Sequence, residues 1–218
     1  MYILTEGVTE LTYFKALILK YACENINVQQ GRSSDPLRLA CEAIAQRNEI
    51  VANQQVWIVL DKEIANKDRT RQRRLQKAKR LSKRHNIQIA ISQPCFEGWL
   101  NSHLGPMKDY RINQASEHFG KILTKKLNCT YHKNSYNADS FMGEVAISNA
   151  LKSPIGQMGL SRLVICLMSR ANSKNGNSLI AHSVNCLDSS KQLDAADYAG
   201  DAPIKKYPAT RLGKDVHR

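Results

Sequence analysis

No stretch of this chain approaches the roughly 18 uninterrupted apolar residues of a membrane-spanning helix. The first apolar run, Met1-Tyr2-Ile3-Leu4, is already broken at Glu6, and with no signal-like segment either, a soluble cytoplasmic protein is expected. Six cysteines are present without a single C-x-x-C pair, which suits reduced thiols better than a disulfide frame. Cys129 and His132 have a ligand-like spacing, yet nothing completes a tetrahedral zinc set. A G-x-x-x-x-G-K-[ST] loop is also missing, so any ATP that matters must be handled by another subunit. Aromatic residues make up only 6% of the sequence; a protein that reads bases by stacking is less supported than one that grips a phosphate backbone. Acidic residues are scarce too, 19 against 32 lysines and arginines, giving a net charge of +13. Such an imbalance favours polyanionic partners.

What is present is a 218-residue chain with 42% apolar residues, enough for one large domain or a domain with an appendage. Strand-like and helix-like stretches alternate. Met1 to Leu4 reads as a strand, followed by a helix with Leu11, Phe14, Leu17, Ile18 and Tyr21 at helical spacing. Asn25 to Gln29 is a weaker second strand. Ser34-Asp35-Pro36 opens a second helix that shows Leu37, Ala40, Cys41 and Ile44 on one face. Val56 to Leu60 is a continuous apolar run, the mark of a strand buried on both faces. A helix over about Asn66 to His85 and a strand over Ile87 to Ile91 complete the pattern. Alternation of this kind predicts βαβ crossovers and an α/β fold with a parallel sheet of about four strands.

From Cys95 the pattern turns helical. Phe96, Trp99, Leu100, His103 and Leu104 share a face, then Ala115, Phe119, Ile122 and Leu123, then Phe141, Met142, Val145 and Ala146. Leu160 to Met168 is too uniformly apolar for periodicity to separate strand from helix. The expected organisation is an α/β core over 1–105, a helical extension over 106–188 packed on it, and a basic tail over 189–218 with few large apolar residues.

Two carboxylates stand where strands end. Glu6 follows the first strand, with Gly7 beside it to allow a tight turn or a close approach. Asp61 ends the Val56 to Leu60 run, and alternation places Glu63 on the same side while Lys62 points away. In a parallel sheet the carboxyl ends of neighbouring strands share one edge, where ligands bind. Glu6, Asp61 and Glu63 there are expected to hold a hard cation, Mg²⁺ or Mn²⁺, able to position a phosphodiester. Lys62 is a candidate phosphate contact. Glu10, in the first turn of the first helix, suits the helix dipole and needs no further role.

Between Lys67 and Arg84 lie ten basic residues: Lys67, Arg69, Arg71, Arg73, Arg74, Lys77, Lys79, Arg80, Lys83 and Arg84. Asp68 is the one acid among them. Leu75, Ala78 and Leu81 leave a narrow apolar stripe, so the charges cover most of the helix. A solvated helix normally mixes signs to form i,i+4 pairs. Like charges at this density predict a phosphate-backbone binder, sensitive to salt and nearly indifferent to sequence. With no wide apolar or aromatic face to insert, a membrane surface is not the expected partner.

Three segments carry a resemblance. Thr5-Glu6-Gly7-Val8-Thr9-Glu10 with Tyr13-Phe14, Trp57 to Glu63, and Ile91-Ser92-Gln93-Pro94-Cys95-Phe96-Glu97-Gly98-Trp99-Leu100 with His103 resemble the RloB-like family. Tyr131-His132-Lys133 and Ala146-Ile147-Ser148-Asn149-Ala150 fit further stretches of it, and Asn177-Ser178 with His182 and Val184 fits its last helix loosely. Members look like a divergent branch of the TOPRIM-type metal-dependent phosphoryl-transfer domains, found in bacterial anti-phage loci beside an ATPase. The resemblance implies metal binding by Glu6 and Asp61, with Glu63 in place of the usual second aspartate, and it adds Glu97 as a further ligand or supporting group. The expected function is therefore a metal-dependent nuclease working with an ATPase partner on DNA or RNA. The alternative is a non-catalytic basic adaptor, favoured by the Glu63 departure and the short first strand.

Overall fold

The computed structural model describes residues 1–49, 54–62, 69–105, 116–153 and 159–171. Glu63, Lys67, Asp68, Ala115 and everything after Ala171 lie outside them. Four strands, β1 (Tyr2–Thr5), β2 (Asn27–Gln30), β3 (Val56–Asp61) and β4 (Gln88–Ser92), form one wholly parallel sheet in the order β2-β1-β3-β4. Seven α-helices are described: α1 (Val8–Lys20), α2 (Pro36–Glu49), α3 (Arg69–Arg84), α4 (Phe96–His103), α5 (Ser116–Leu127), α6 (Glu144–Leu151) and α7 (Leu160–Met168). The expected α/β class with a four-stranded parallel sheet is the one observed.

The sheet is parallel because each strand-to-strand path runs through a helix, and it is stable because both faces are covered. Successive side chains of β3 enter opposite cores. Trp57 and Val59 join Ile3, Phe14, Phe96, Trp99 and Leu163 on one side; Val56, Ile58 and Leu60 join Tyr2, Leu4, Leu39, Leu75 and Ala78 on the other. Each of these large side chains contributes about 1.5–3 kcal/mol when fully buried. That is why a run without alternation becomes an interior strand.

Two helices turn a different face inward from the one their spacing suggested. α2 buries Pro36, Leu39, Ala40 and Ala43, leaving Cys41 exposed. Two overlapping apolar rows are available in this helix, and the one with small alanines packs between β3 and α3. In α6 the buried residues are Ile147 and Ala150, while Val145 is 76% exposed. The undecided run becomes α7, with Leu160, Leu163, Val164 and Leu167 fully buried at helical spacing. Gly159 at its start has φ 112°, and a Cβ there would lie 2.7 Å from the Ile89 carbonyl oxygen. Only glycine fits that close approach to β4.

Candidate functional site

Strand register builds the site. Thr5 is level with Val59, and Asp61 with Ser92, so the residues just beyond the strands gather at one sheet edge. Pairing continues past the strands: the Glu6 amide donates to the Val59 carbonyl at 3.0 Å, and the Lys62 amide to the Ser92 carbonyl at 2.8 Å. Glu6 then turns back, its Oε2 accepting from the Asp61 amide at 3.0 Å. On the far side of Asp61 the Ser92 hydroxyl donates to Oδ1.

Two further carboxylates arrive on helices of the same face. Glu97 sits in the first turn of α4 at 1% exposure, and Glu10 in the first turn of α1 at 4%. Glu10 is thus no water-facing first-turn acid. Its chain folds back over the helix start, so that a Cβ on Gly7 would lie 2.8 Å from Oε2; Gly7 leaves the space that the carboxylate needs. A glutamate three residues after a helix cap characteristically reaches back this way, which is the sequence signal that marks Glu10 as part of the edge.

Crowding shows in the protonation of the cluster. Burial pushes the Glu10 carboxyl up to about 7, with repulsion from Glu6 and Glu97 adding to it against a lowering bond from its own amide and the nearby Lys133. Asp61 is pushed well above the ordinary aspartate range, first by burial and then by Glu10, Glu6 and Glu97, with Ser92 opposing. These are like charges held together at close quarters.

Two cations answer them, one from each side of the sheet. Arg71, from α3, donates to Glu6 Oε1 at 2.8 Å, to the Asp61 carbonyl at 3.2 Å and to the Ser34 carbonyl at 2.8 Å. Its side chain is only 15% exposed. Lys133, in the segment between α5 and the 3₁₀ turn Ala138–Phe141, reaches Glu97 Oε1 at 3.0 Å. Burial alone would lower the Lys133 ammonium, but Glu97, Asp61 and Cys95 together raise it. The Lys133 carbonyl is anchored by Thr9 Oγ1 at 3.1 Å, and Tyr136 donates to the Thr9 carbonyl at 2.8 Å. That loop is therefore tied to the start of α1.

Four carboxylates against two cations leave, when all are ionised, the charge that one divalent cation would neutralise. The donors are all oxygen, as a hard cation requires, and both Glu10 Oε2 and Glu97 Oε2 are buried without a hydrogen-bond partner. In chemistry the residues fit Mg²⁺ or Mn²⁺. Among the described residues no three Asp, Glu, His or Cys side chains already stand in a ligating arrangement, and both Glu6 oxygens are engaged by Arg71 and the Asp61 amide.

Comparison with protein-family models matches the RloB-like protein family over residues 1–157. The chain belongs to the RloB-like family. No curated protein and no solved structure matches it. The family match spans the whole acidic edge, including Glu6, Glu10, Asp61, Glu97 and Lys133.

The remaining residues singled out in this RloB-like chain fall in two places. Lys62 is exposed and its Nζ donates to Gln93 Oε1 at 3.0 Å. Of the α3 residues, Arg69, Arg73, Arg74, Lys77, Arg80, Lys83 and Arg84 are exposed and Lys79 is half-buried. Arg74 pairs with Asp35 at 2.7 Å, holding that carboxyl below the usual range although burial acts the other way. Arg71 alone turns into the edge. No described helix is long and apolar enough to cross a membrane.

Proposed function

We propose that this RloB-like chain is a metal-dependent nuclease whose centre is the acidic sheet edge of Glu6, Glu10, Asp61 and Glu97. The observation that carries the reading is the convergence there of four carboxylates, two with buried oxygens lacking partners, beside a helix studded with arginine and lysine. Asp61 and Glu97, with Glu10 and Glu6, are the residues that would hold Mg²⁺ or Mn²⁺; Glu63, beyond the described residues, is a further donor by sequence. When bound, such a cation supplies Lewis-acid stabilisation of the phosphoryl oxygens and an activated water. The chain itself does the positioning: the exposed face of α3 takes the phosphate backbone, and Lys133 places positive charge beside Glu97 at the same edge. Family resemblance supports an ATPase partner and a role in bacterial anti-phage defence.

A cleavage assay on single-stranded RNA, tRNA and plasmid DNA with Mg²⁺ or Mn²⁺ tests this. Cleavage by the wild type that Glu6→Ala and Asp61→Ala each abolish is the expected result, and the substrate cleaved identifies the class. No cleavage, with the ATPase subunit also supplied, would overturn it.

The second reading, a basic nucleic-acid-binding adaptor without turnover, is favoured by one observation: Glu6 is already committed to Arg71 and the Asp61 amide. Salt-sensitive binding without metal uptake would establish it.

A further inference from the structure

Arg71 stands apart from its neighbours on α3. The next arginine on that face, Arg74, is one turn away and 44% exposed at the side chain, whereas Arg71 is 15% exposed and directs its guanidinium at three oxygens, two of them from the acidic edge. One of these is Glu6 Oε1, at 2.8 Å. A cation entering the edge needs that carboxylate, so Arg71 and the cation compete for the same group. The other two acceptors, the exposed carbonyl of Ser34 and the part-buried carbonyl of Asp61, are neutral, so a donor withdrawn from them costs less than one withdrawn from a charged partner. A phosphate diester is a better fork acceptor than two carbonyls. A backbone that reaches exposed Arg74, one turn along the same face, brings a phosphate within a helical turn of Arg71.

We propose that Arg71 is an internal counter-cation that holds Glu6 until a phosphate backbone on α3 draws it away, so that polyanion binding and divalent-cation binding at this edge are positively coupled. The proposal rests on the metal-centre reading above. It makes the site incomplete without nucleic acid on α3, which would keep a lone cation from arming it. By linkage the coupling is reciprocal: the cation tightens polyanion binding by the same factor.

The test is a Mn²⁺ titration followed by electron paramagnetic resonance in the full chain, with and without a single-stranded phosphorothioate oligonucleotide and corrected for the oligonucleotide's own Mn²⁺ uptake. In the wild type the oligonucleotide should tighten Mn²⁺ binding by about 5-fold or more, the lower end of ordinary coupling. Arg71→Gln should bind Mn²⁺ tighter without oligonucleotide and lose the coupling. Arg71→Lys keeps the charge but not the planar fork, and should also lose it, which separates geometry from simple charge removal. Arg73→Gln, on the exposed face, should weaken oligonucleotide binding and leave the coupling factor intact. Circular dichroism confirms that each variant is folded.

Coupling that survives in both Arg71 variants, or Mn²⁺ binding that weakens in Arg71→Gln, would overturn the proposal while leaving the metal centre standing. Wild-type Mn²⁺ uptake that Asp61→Ala does not change would instead overturn the metal centre, and the coupling with it.

Discussion

Lys133 and Glu97 meet at 3.0 Å, one from a loop that is exposed and the other from a helix start that is 1% exposed. A loop far along the chain thus neutralises a carboxylate that β4 delivers to the sheet edge. Removing the lysine should leave the buried Glu97 carboxylate without its cation. Lys133→Met is expected to cost about 1–3 kcal/mol in urea unfolding with EDTA, the lower half being favoured because Lys133 itself is open to solvent. Adding Glu97→Gln should recover most of the loss. Equal stability of Lys133→Met and wild type would show that the pair contributes nothing.

Glu10 predicts a pH dependence of one sign. Its folded carboxyl is raised from an ordinary 4.5 to about 7, so the unfolded state loses its proton first and the native state is penalised as pH rises. Stability linked to Glu10 is present below about pH 4.5 and is lost as pH rises through 7. Glu10→Gln should remove this decline, making the variant in EDTA more stable than wild type at pH 8 and little different at pH 4.5. Denaturant unfolding at the two pH values is the measurement.

His103 predicts the opposite slope. Its Nδ1 donates to the Trp99 carbonyl at 2.9 Å, which leaves Nε2 to accept from the Tyr13 hydroxyl at 2.9 Å. The ring is held neutral in the core, and burial lowers its pKa from 6.5 to about 4 against raising contacts with the Trp99 and Leu100 backbone. Stability from this group is full above about pH 6.5 and lost as pH falls through 4, a change on the order of 3 kcal/mol. His103→Gln should flatten the fall between pH 6.5 and 4, whatever its effect at pH 8.

The exposed arginines and lysines of α3 predict a steep salt dependence. Binding of single-stranded RNA or duplex DNA, followed by fluorescence anisotropy, should weaken sharply from about 50 to 200 mM salt. Each of Arg73→Ala, Lys77→Ala and Arg80→Ala should lower the log-log slope by about 0.7–0.9 and weaken all sequences alike. A substitution that changed sequence preference with no change of slope would contradict backbone binding.

Much of this protein is written locally. The continuous Val56 to Leu60 run declares a strand buried on both faces, and the regular spacing of helices between strands dictates parallel pairing. Glu6 and Asp61 are legible as residues of one sheet edge because a carboxylate that ends an apolar strand has one place to go in such a sheet. Glu97 is marked by the family resemblance, and Ser92 joins the edge only when β4 pairs with β3. The excess of basic residues in α3 is likewise visible without coordinates.

Other features exist only after the elements dock. The sequence by itself cannot say which of two apolar rows α2 turns inward, because both meet the helical spacing and the choice depends on how closely α3 and β3 approach. The same holds for Val145, which periodicity offers to the core and packing leaves in solvent. Arg71 and Arg73 are alike in type and neighbourhood, yet a rotation of about 200° around the helix sends one to Glu6 and the other to water. Glu10 is an ordinary first-turn acid until burial and the facing carboxylates raise its pKa, and Lys133 is an ordinary loop lysine until Thr9 and Tyr136 fasten its loop to α1. Composition and periodicity, set by neighbours in the chain, determined the sheet and its acidic edge; the pairing of charges at that edge was decided by tertiary packing, because electrostatic energy depends on distances between residues that the chain order keeps far apart.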